Sequence, residues 1–430
     1  MNQNVSVSGL VRSLQFTKFE NAEQAYSKPI AFLPLESKIV RQKTSAVDPE
    51  TSIHAAIHDV CRRAAKTTAI LKSYLVTQSE IPHLLKTLES SLADASRILS
   101  SEFGRPSSRS NQRARKTSAK ALADSRLANR LRDYKIYDDY FNVVRVPSMS
   151  TPQLGCQVAS TCLEVSADLS FSVLAIDQIS TVTETIHAMF EYLAAELGLN
   201  EKPASSIKKR TLVLMNESSH STWWLQAPKV RSEERKRWSR RIALYRWCVG
   251  HHLFNLCAIV CGSHLKTAGL AIDDSDENKA AAFILEGAKF RRGGTAAMCY
   301  AANFPAEIYL DYVRPSMSEA GAPNGFSGSQ NSDYNHMKTD KKQLGEKIRK
   351  RYGTDSKNWP APIRSAANVF QEAEIEDSEH HVLIAVSKVG PDSSLAQKNW
   401  QRRLPSEMQV KNAADILRDM VEIKRHGDGF

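Results

Sequence analysis

The sequence predicts a mainly α fold: one large helical domain of long antiparallel helices, with at most a few short strands. Three observations predict it. Apolar residues recur at helical spacing over long stretches, as in the run holding Ile53, Ile57, Val60, Ala64 and Ile70-Leu71. Helix start and stop signals bracket those stretches, for instance Asp48-Pro49-Glu50 before one and Gly104 after another. Glycine and proline number only 18 and 16 in 430 residues, too few for a turn-rich β architecture.

Taken in order, residues 1–48 read as an irregular segment in which Pro29 and Pro34 punctuate a short apolar run. Residues 49–104 read as a helical hairpin, SIHAAIHDVCRRAAKTTAILKSYL followed by IPHLLKTLESSLADASRILSSEF. Residues 105–132 are the one true shift in composition, rich in Ser, Arg and Lys, and read as a basic mobile linker whose second half regains helix formers. Residues 133–430 form the main helical domain. It opens with two strand candidates, YFNVVRVP and SFSVLAI, continues through a helix from about Asp177 to Leu197, and reaches a central apolar helix around Cys248–Cys261. A Gly-rich loop at 318–336 is expected to serve as a lid or site wall, followed by a basic helix at 341–351, a late helix running past His381, and a terminal helix.

Hydrophobic residues make up 42% and charged residues 24%, so a packed core is expected and global disorder is not. The formal charge of +11 suits an acidic partner: nucleic acid, an anionic surface or an anionic small molecule. Seven cysteines without a repeated CxxC spacing indicate buried free thiols in a reducing compartment. The N-terminus lacks a signal-peptide pattern, and the central apolar run is interrupted by His251, His252 and Asn255. A cytoplasmic protein with no membrane partner is expected, and assembly into a homo-oligomer is compatible with the composition.

The central helix supplies the first candidate site residues. His251 shares a face with Trp247 and Asn255, and His252 shares one with Cys248 and Leu256. Neutral imidazole tolerates burial and binds iron or haem through one ring nitrogen, so His251 is a candidate catalytic residue and His252 a candidate metal ligand. The late helix adds Glu376, Glu379, His380 and His381 as further candidate ligands, with Glu372, Glu376 and His380 along one face. Glu184 and His187 form a Glu-x-x-His pair of the spacing that helical di-iron sites use, but only one copy lies within a helix. Arg292 and Arg314 lie beside the apolar segments and could capture a substrate carboxylate. Asp333, with His336, lies on or beside the Gly-rich loop and is a further catalytic candidate.

No dinucleotide fingerprint, P-loop, nucleophile elbow, kinase set or zinc-finger spacing occurs, so no nucleotide cofactor is expected. In layout the chain resembles helical haem dioxygenases of the tryptophan-cleaving kind, or helical di-iron oxidases. That resemblance is architectural and assigns no residue. The resulting expectation is a metal- or haem-dependent oxidase or oxygenase acting on a small carboxylate-bearing, amino-acid-like substrate. The alternative is a helical nucleic-acid-binding or capsid-like assembly protein. It would use Arg105, Arg109, Arg113, Arg115 and Lys116 of the linker, together with the 341–351 helix, to neutralise phosphates.

Overall fold

The computed structural model describes residues 30–32, 49–73, 79–103, 125–145, 151–197, 232–322, 325–326, 328–389 and a few positions between 418 and 425. Within them the fold is a bundle of long helices with one two-stranded sheet. The helices are α1 (Pro49–Lys72), α2 (Ile81–Phe103), α3 (Ser125–Tyr140), α4 (Thr151–Leu169), α5 (Ile176–Glu196), α6 (Ser232–Asp273) and α7 (Glu277–Ala301). A broken segment follows: α8 (Ala306–Ile308), a π-helical stretch Tyr309–Val313, and α9 (Arg314–Glu319). The long helices α10 (Ser332–Tyr352) and α11 (Ala361–Val389) complete the bundle. The sheet pairs β1 (Ile30–Phe32) antiparallel with β2 (Val143–Arg145), with Ile30 opposite Arg145.

The axis of the bundle is α6, about 63 Å long at 1.5 Å per residue. Every residue from Tyr245 to Ala258 is buried, so this part of the helix has no solvent face. It has the length and apolar content of a membrane span, yet 67% of the relevant window is covered by the rest of the fold. It packs mainly on α7 and α10, and α7 in turn packs on α11 and α5. The expected hairpin α1–α2 is present, but it is not a separate unit: α1 lies on α5 and α2 on α4, within the same apolar core.

Small residues set the closest helix approach. A Cβ on Gly250 would fall 2.4 Å from Ala301 Cβ and 2.9 Å from the Ala297 carbonyl, and one on Gly293 would fall 2.8 Å from Thr185 Cγ2. The α6–α7 and α5–α7 crossings therefore depend on hydrogen atoms at these two positions.

Several expectations are revised. The segment SFSVLAI forms no strand: Ser172–Ala175 is irregular and α5 begins at Ile176. Most of the basic linker, with Arg105, Arg109, Arg113, Arg115 and Lys116, lies outside the described residues, but its last part is already helical from Ser125. The Gly-rich loop is shorter than 318–336, because Asn331 caps a helix that already includes Asp333 and His336. The Asn331 side chain accepts from the Tyr334 N–H at 3.0 Å, which satisfies one of the free donors of that helix start. The segment KKRTLVLM at 208–215, which the sequence leaves open as a short strand or a loop-to-helix entry, lies outside the described residues.

Substitution of Gly250 by alanine is expected to lower stability by about 1–3 kcal/mol in urea unfolding, because Ala301 cannot move without displacing the α7 backbone. Gly269→Ala, on the same helix, would meet only the flexible Lys347 side chain at 3.5 Å and is expected to be neutral or to stabilise by up to about 1 kcal/mol.

Candidate functional site: an aromatic cluster around His251

Three buried arginines, paired with four aspartates, hold the elements that surround the middle of α6. Arg145, at the end of β2, binds Asp138 of α3 in a forked arrangement (2.9 and 3.0 Å) and Asp333 of α10 (2.8 and 3.1 Å), and also donates to Ser332 Oγ at 2.7 Å. Asn142, with φ of 55°, supplies the left-handed turn between α3 and β2 that brings Arg145 back onto Asp138. Arg246 of α6 binds Asp168 of α4 (2.5 and 3.0 Å) and the carbonyls of Phe171 and Asn303. Arg291 of α7 binds Asp377 of α11, whose other oxygen accepts from Thr295 at 3.1 Å. None of these partners is exposed, and each pair carries further hydrogen bonds, as a buried charge requires. Burial by itself would lower the Arg145 pKa and raise that of Asp138. The two carboxylates outweigh the first effect and raise Arg145, while Asp138 rises to about 6, moderated by Arg145.

Within this frame lies an aromatic cluster. The His251 ring stacks on Phe141 at 4.1 Å and 17°, with Trp247 at 4.4 Å and Tyr137 at 6.3 Å. Phe326 closes on Tyr137, Tyr140 and Phe141 at 4.9–5.5 Å, and Tyr309, on the π-helical stretch, reaches Trp247 at 6.0 Å. π-Helical turns rotate side chains out of the regular helical register, which here turns Tyr309 toward α6.

His251 donates from Nδ1 to the Trp247 carbonyl at 2.6 Å, and no described residue hydrogen-bonds its Nε2. Burial pushes its pKa down to about 3, with His252 and His381 contributing, so the ring is neutral and Nε2 carries the lone pair. His252 is also neutral, pushed by burial down to about 4, but its Nε2 is engaged by the Phe141 carbonyl at 2.6 Å. The histidines of α11 resemble His251: His380 Nδ1 bonds the Glu376 carbonyl and His381 Nδ1 the Asp377 carbonyl, each at 2.8 Å. His381 also lies 3.6 Å from the Asp377 carboxylate, and it is near enough to His251 to disfavour a second positive charge there. A metal-binding imidazole usually has its other nitrogen held by a carbonyl or carboxylate, and His251 and His381 both have that arrangement.

The other predicted residues are engaged elsewhere. Glu376 pairs with Arg292 (2.8 and 3.2 Å) and Glu379 with Arg425 at 2.5 Å, so Arg292 is held by a protein carboxylate. Asp333 is bound to Arg145 and is buried. Glu184 pairs with Lys72, and His187, its pKa lowered by burial, lies 3.4 Å from Glu191, so both members of the Glu-x-x-His pair are engaged by neighbouring side chains. Arg314 is half-buried and has no carboxylate partner among the described residues. No group of three or more His, Cys, Asp and Glu that could hold a metal ion occurs among the described residues.

Sequence reasoning passed over Tyr137, Phe141 and Asn331, and the buried-pair partners Arg145, Asp138, Asp168 and Asp377. Arg145 within VVRVP and Arg246 within LYRWC are charges inside apolar runs, a pattern that marks buried pairing in retrospect.

Fold and site together define a helical protein with a water-poor, aromatic-walled imidazole centre. Residues 74–356, most of the chain, match the family model described as SfmD 3-methyl-L-tyrosine peroxygenase. The chain belongs to that family, and so to a family of oxidoreductases. The matched span takes in His251, His252, Arg292, Arg314 and Asp333, and it stops before Glu376, Glu379, His380 and His381. No curated protein and no solved structure gives a match.

The neutral histidines make stability depend on acid. In the unfolded chain both titrate near about 6.5, whereas the folded protein holds His251 to about 3 and His252 to about 4. As pH falls from about 6.5 toward 4, the unfolded chain therefore takes up protons that the folded state refuses. Stability is expected to fall by up to about 1.4 kcal/mol per pH unit for each histidine. Urea midpoints between pH 7 and 4.5 measure this slope, and His251→Phe is expected to reduce it.

Proposed function

We propose that this chain is a haem-dependent peroxygenase that oxidises a small aromatic amino acid in the cluster around His251. The observation that carries the reading is His251 itself: a neutral imidazole with Nδ1 anchored, Nε2 uncommitted and aromatic rings on its faces, inside the span matched to the family. Non-haem iron sites need about three protein ligands, and no such group occurs among the described residues. A porphyrin brings most of the iron's donors with it, so one or two histidines suffice. His251 and His381 are the residues that would hold it.

Bound haem would supply an iron that activates hydrogen peroxide, one oxygen entering the substrate and the other leaving as water, with no outside reductant. The chain's own residues have three tasks. The rings of Tyr137, Phe141, Trp247 and Phe326 exclude water and receive an aromatic side chain. Arg314, near enough to Tyr309 to act on its hydroxyl, captures the substrate carboxylate. The carbonyls of Trp247 and Asp377 fix the tautomers of His251 and His381, so that Nε2 carries the lone pair.

The nucleic-acid alternative has less support. In the 341–351 helix, Lys341 pairs with Glu374, Lys347 with Asp273 at 2.5 Å, and Arg351 donates to the Ile272 carbonyl at 2.9 Å. Those charges dock α10 on its neighbours and are not a free phosphate-binding row.

Protein purified with haem is expected to show a Soret band and to transfer labelled oxygen from hydrogen peroxide into L-tyrosine or 3-methyl-L-tyrosine. His251→Ala and His381→Ala are each expected to weaken haem retention. A colourless protein that takes up neither haem nor iron and transfers no oxygen would overturn the reading. Arg314→Leu is expected to raise KM by roughly 10- to 100-fold while changing kcat little, as loss of one charge-assisted contact predicts.

A further inference from the structure

The side-chain amide of Asn255 is locked in one orientation by groups that admit no alternative. The Tyr334 backbone N–H can only donate, so Asn331 accepts there through Oδ1, at 3.0 Å. The other end of Asn331 is then Nδ2, a donor, and it lies 2.5 Å from Asn255 Oδ1 and 3.0 Å from the Tyr137 hydroxyl. Tyr137 accepts from Asn331 and turns its own hydrogen to Asn255 Oδ1 at 3.3 Å. With two donors on its oxygen, Asn255 must direct Nδ2 elsewhere. That nitrogen is buried, in a residue 0% exposed, and meets no acceptor among the described residues.

An amide whose carbonyl is fixed and whose N–H groups are buried without a partner is a donor held ready for a ligand. Its position says which ligand. Asn255 lies one helical turn beyond His251 on the same face of α6. Tyr137, which bonds it, packs edge-on against Phe326 and at 4.5 Å from Phe141, so the surroundings suit an aromatic ring. The neighbouring charges are those of Arg145 against Asp138 and Asp333, one net negative charge. Those carboxylates, after burial, hold the Tyr137 hydroxyl protonated. A second anion is disfavoured there, and a neutral hydroxyl is not.

We propose that Asn255 is a specificity-determining residue whose Nδ2 donates a hydrogen bond to the phenolic oxygen of an aromatic amino-acid substrate. The assignment rests on the peroxygenase reading and deepens it. Sites that pair a buried polar group with a substrate hydroxyl reject the analogue lacking that hydroxyl, because the protein group is then stranded.

The test is calorimetric binding of L-tyrosine and L-phenylalanine to the purified protein. The wild type is expected to bind tyrosine at least about 100-fold more tightly than phenylalanine. Asn255→Leu is expected to bring the two within about threefold of each other, through loss of affinity for tyrosine. Asn331→Leu leaves Asn255 in place but removes the lock on its amide, and is expected to reduce the preference in part. Thermal unfolding of each variant separates this from a fold defect: a lowered Tm with the tyrosine preference intact would assign Asn255 a packing role and overturn the proposal. Tyrosine binding that is tight in the wild type and indifferent to Asn255 would overturn the proposal alone. A wild-type protein that binds neither amino acid would overturn both the proposal and the reading beneath it.

Discussion

The buried pairing of Arg145 with Asp138 and Asp333 is the constraint on which the rest of the site depends. Two carboxylates from α3 and α10 converge on one guanidinium, and Ser332 takes a further guanidinium N–H. Replacing a buried charge pair wholesale can be nearly neutral, but removing one partner strands the other at about 3–5 kcal/mol. Such a node specifies geometry more than it adds stability. It allows one placement of the α10 N-terminus against α3, and that placement brings Asn331 to Asn255 and Tyr137.

The same logic acts at the other two pairs. Arg246 ties α6 to the end of α4 and to the Asn303 carbonyl, so the chain leaving α7 returns over Trp247 through Phe304. Arg291 ties α7 to α11 through Asp377, and Asp377 is also the residue that orients His381. Three buried arginines and their aspartates thus fix α3, α4, α7, α10 and α11 around His251 without touching it. A neutral, dry imidazole follows from that enclosure, since desolvation is the largest cause of its depressed pKa.

Much of the helical layout was legible in the sequence because it rests on local signals. Pro49 at the start of α1, Gly104 just past α2 and the apolar period of α5 place those elements nearly where they lie. SFSVLAI was misread because a short β-branched run has no period long enough to separate a strand from a helix entry. The site was legible only in part. His251 stood out as a histidine amid apolar residues, whereas Glu376, Glu379, Arg292 and Asp333 looked equally suitable and are occupied by partners far away in sequence. Spacing along one helix says which residues share a face, but not which charge from another helix meets them. The role of Asn331 depends on a helix start and a contact with α6 that no local pattern encodes.

The continuous enclosure of α6 from Tyr245 to Ala258 also bears on how such a protein can diverge. A helix with one buried stripe can drift freely on its other side. Here each position answers to a neighbouring element, and a change of volume at Gly250 has to be answered on α7 at Ala297 or Ala301. Substitutions in this stretch must therefore arrive as matched pairs from two helices, while beyond Ser263 only the outward face of α6 can vary singly, since Leu265, Ala268, Ala271 and Ile272 are still buried in the core. Lineages sharing the fold would be expected to differ on the exposed positions at the ends of their central helix and to agree, pair by pair, through its middle.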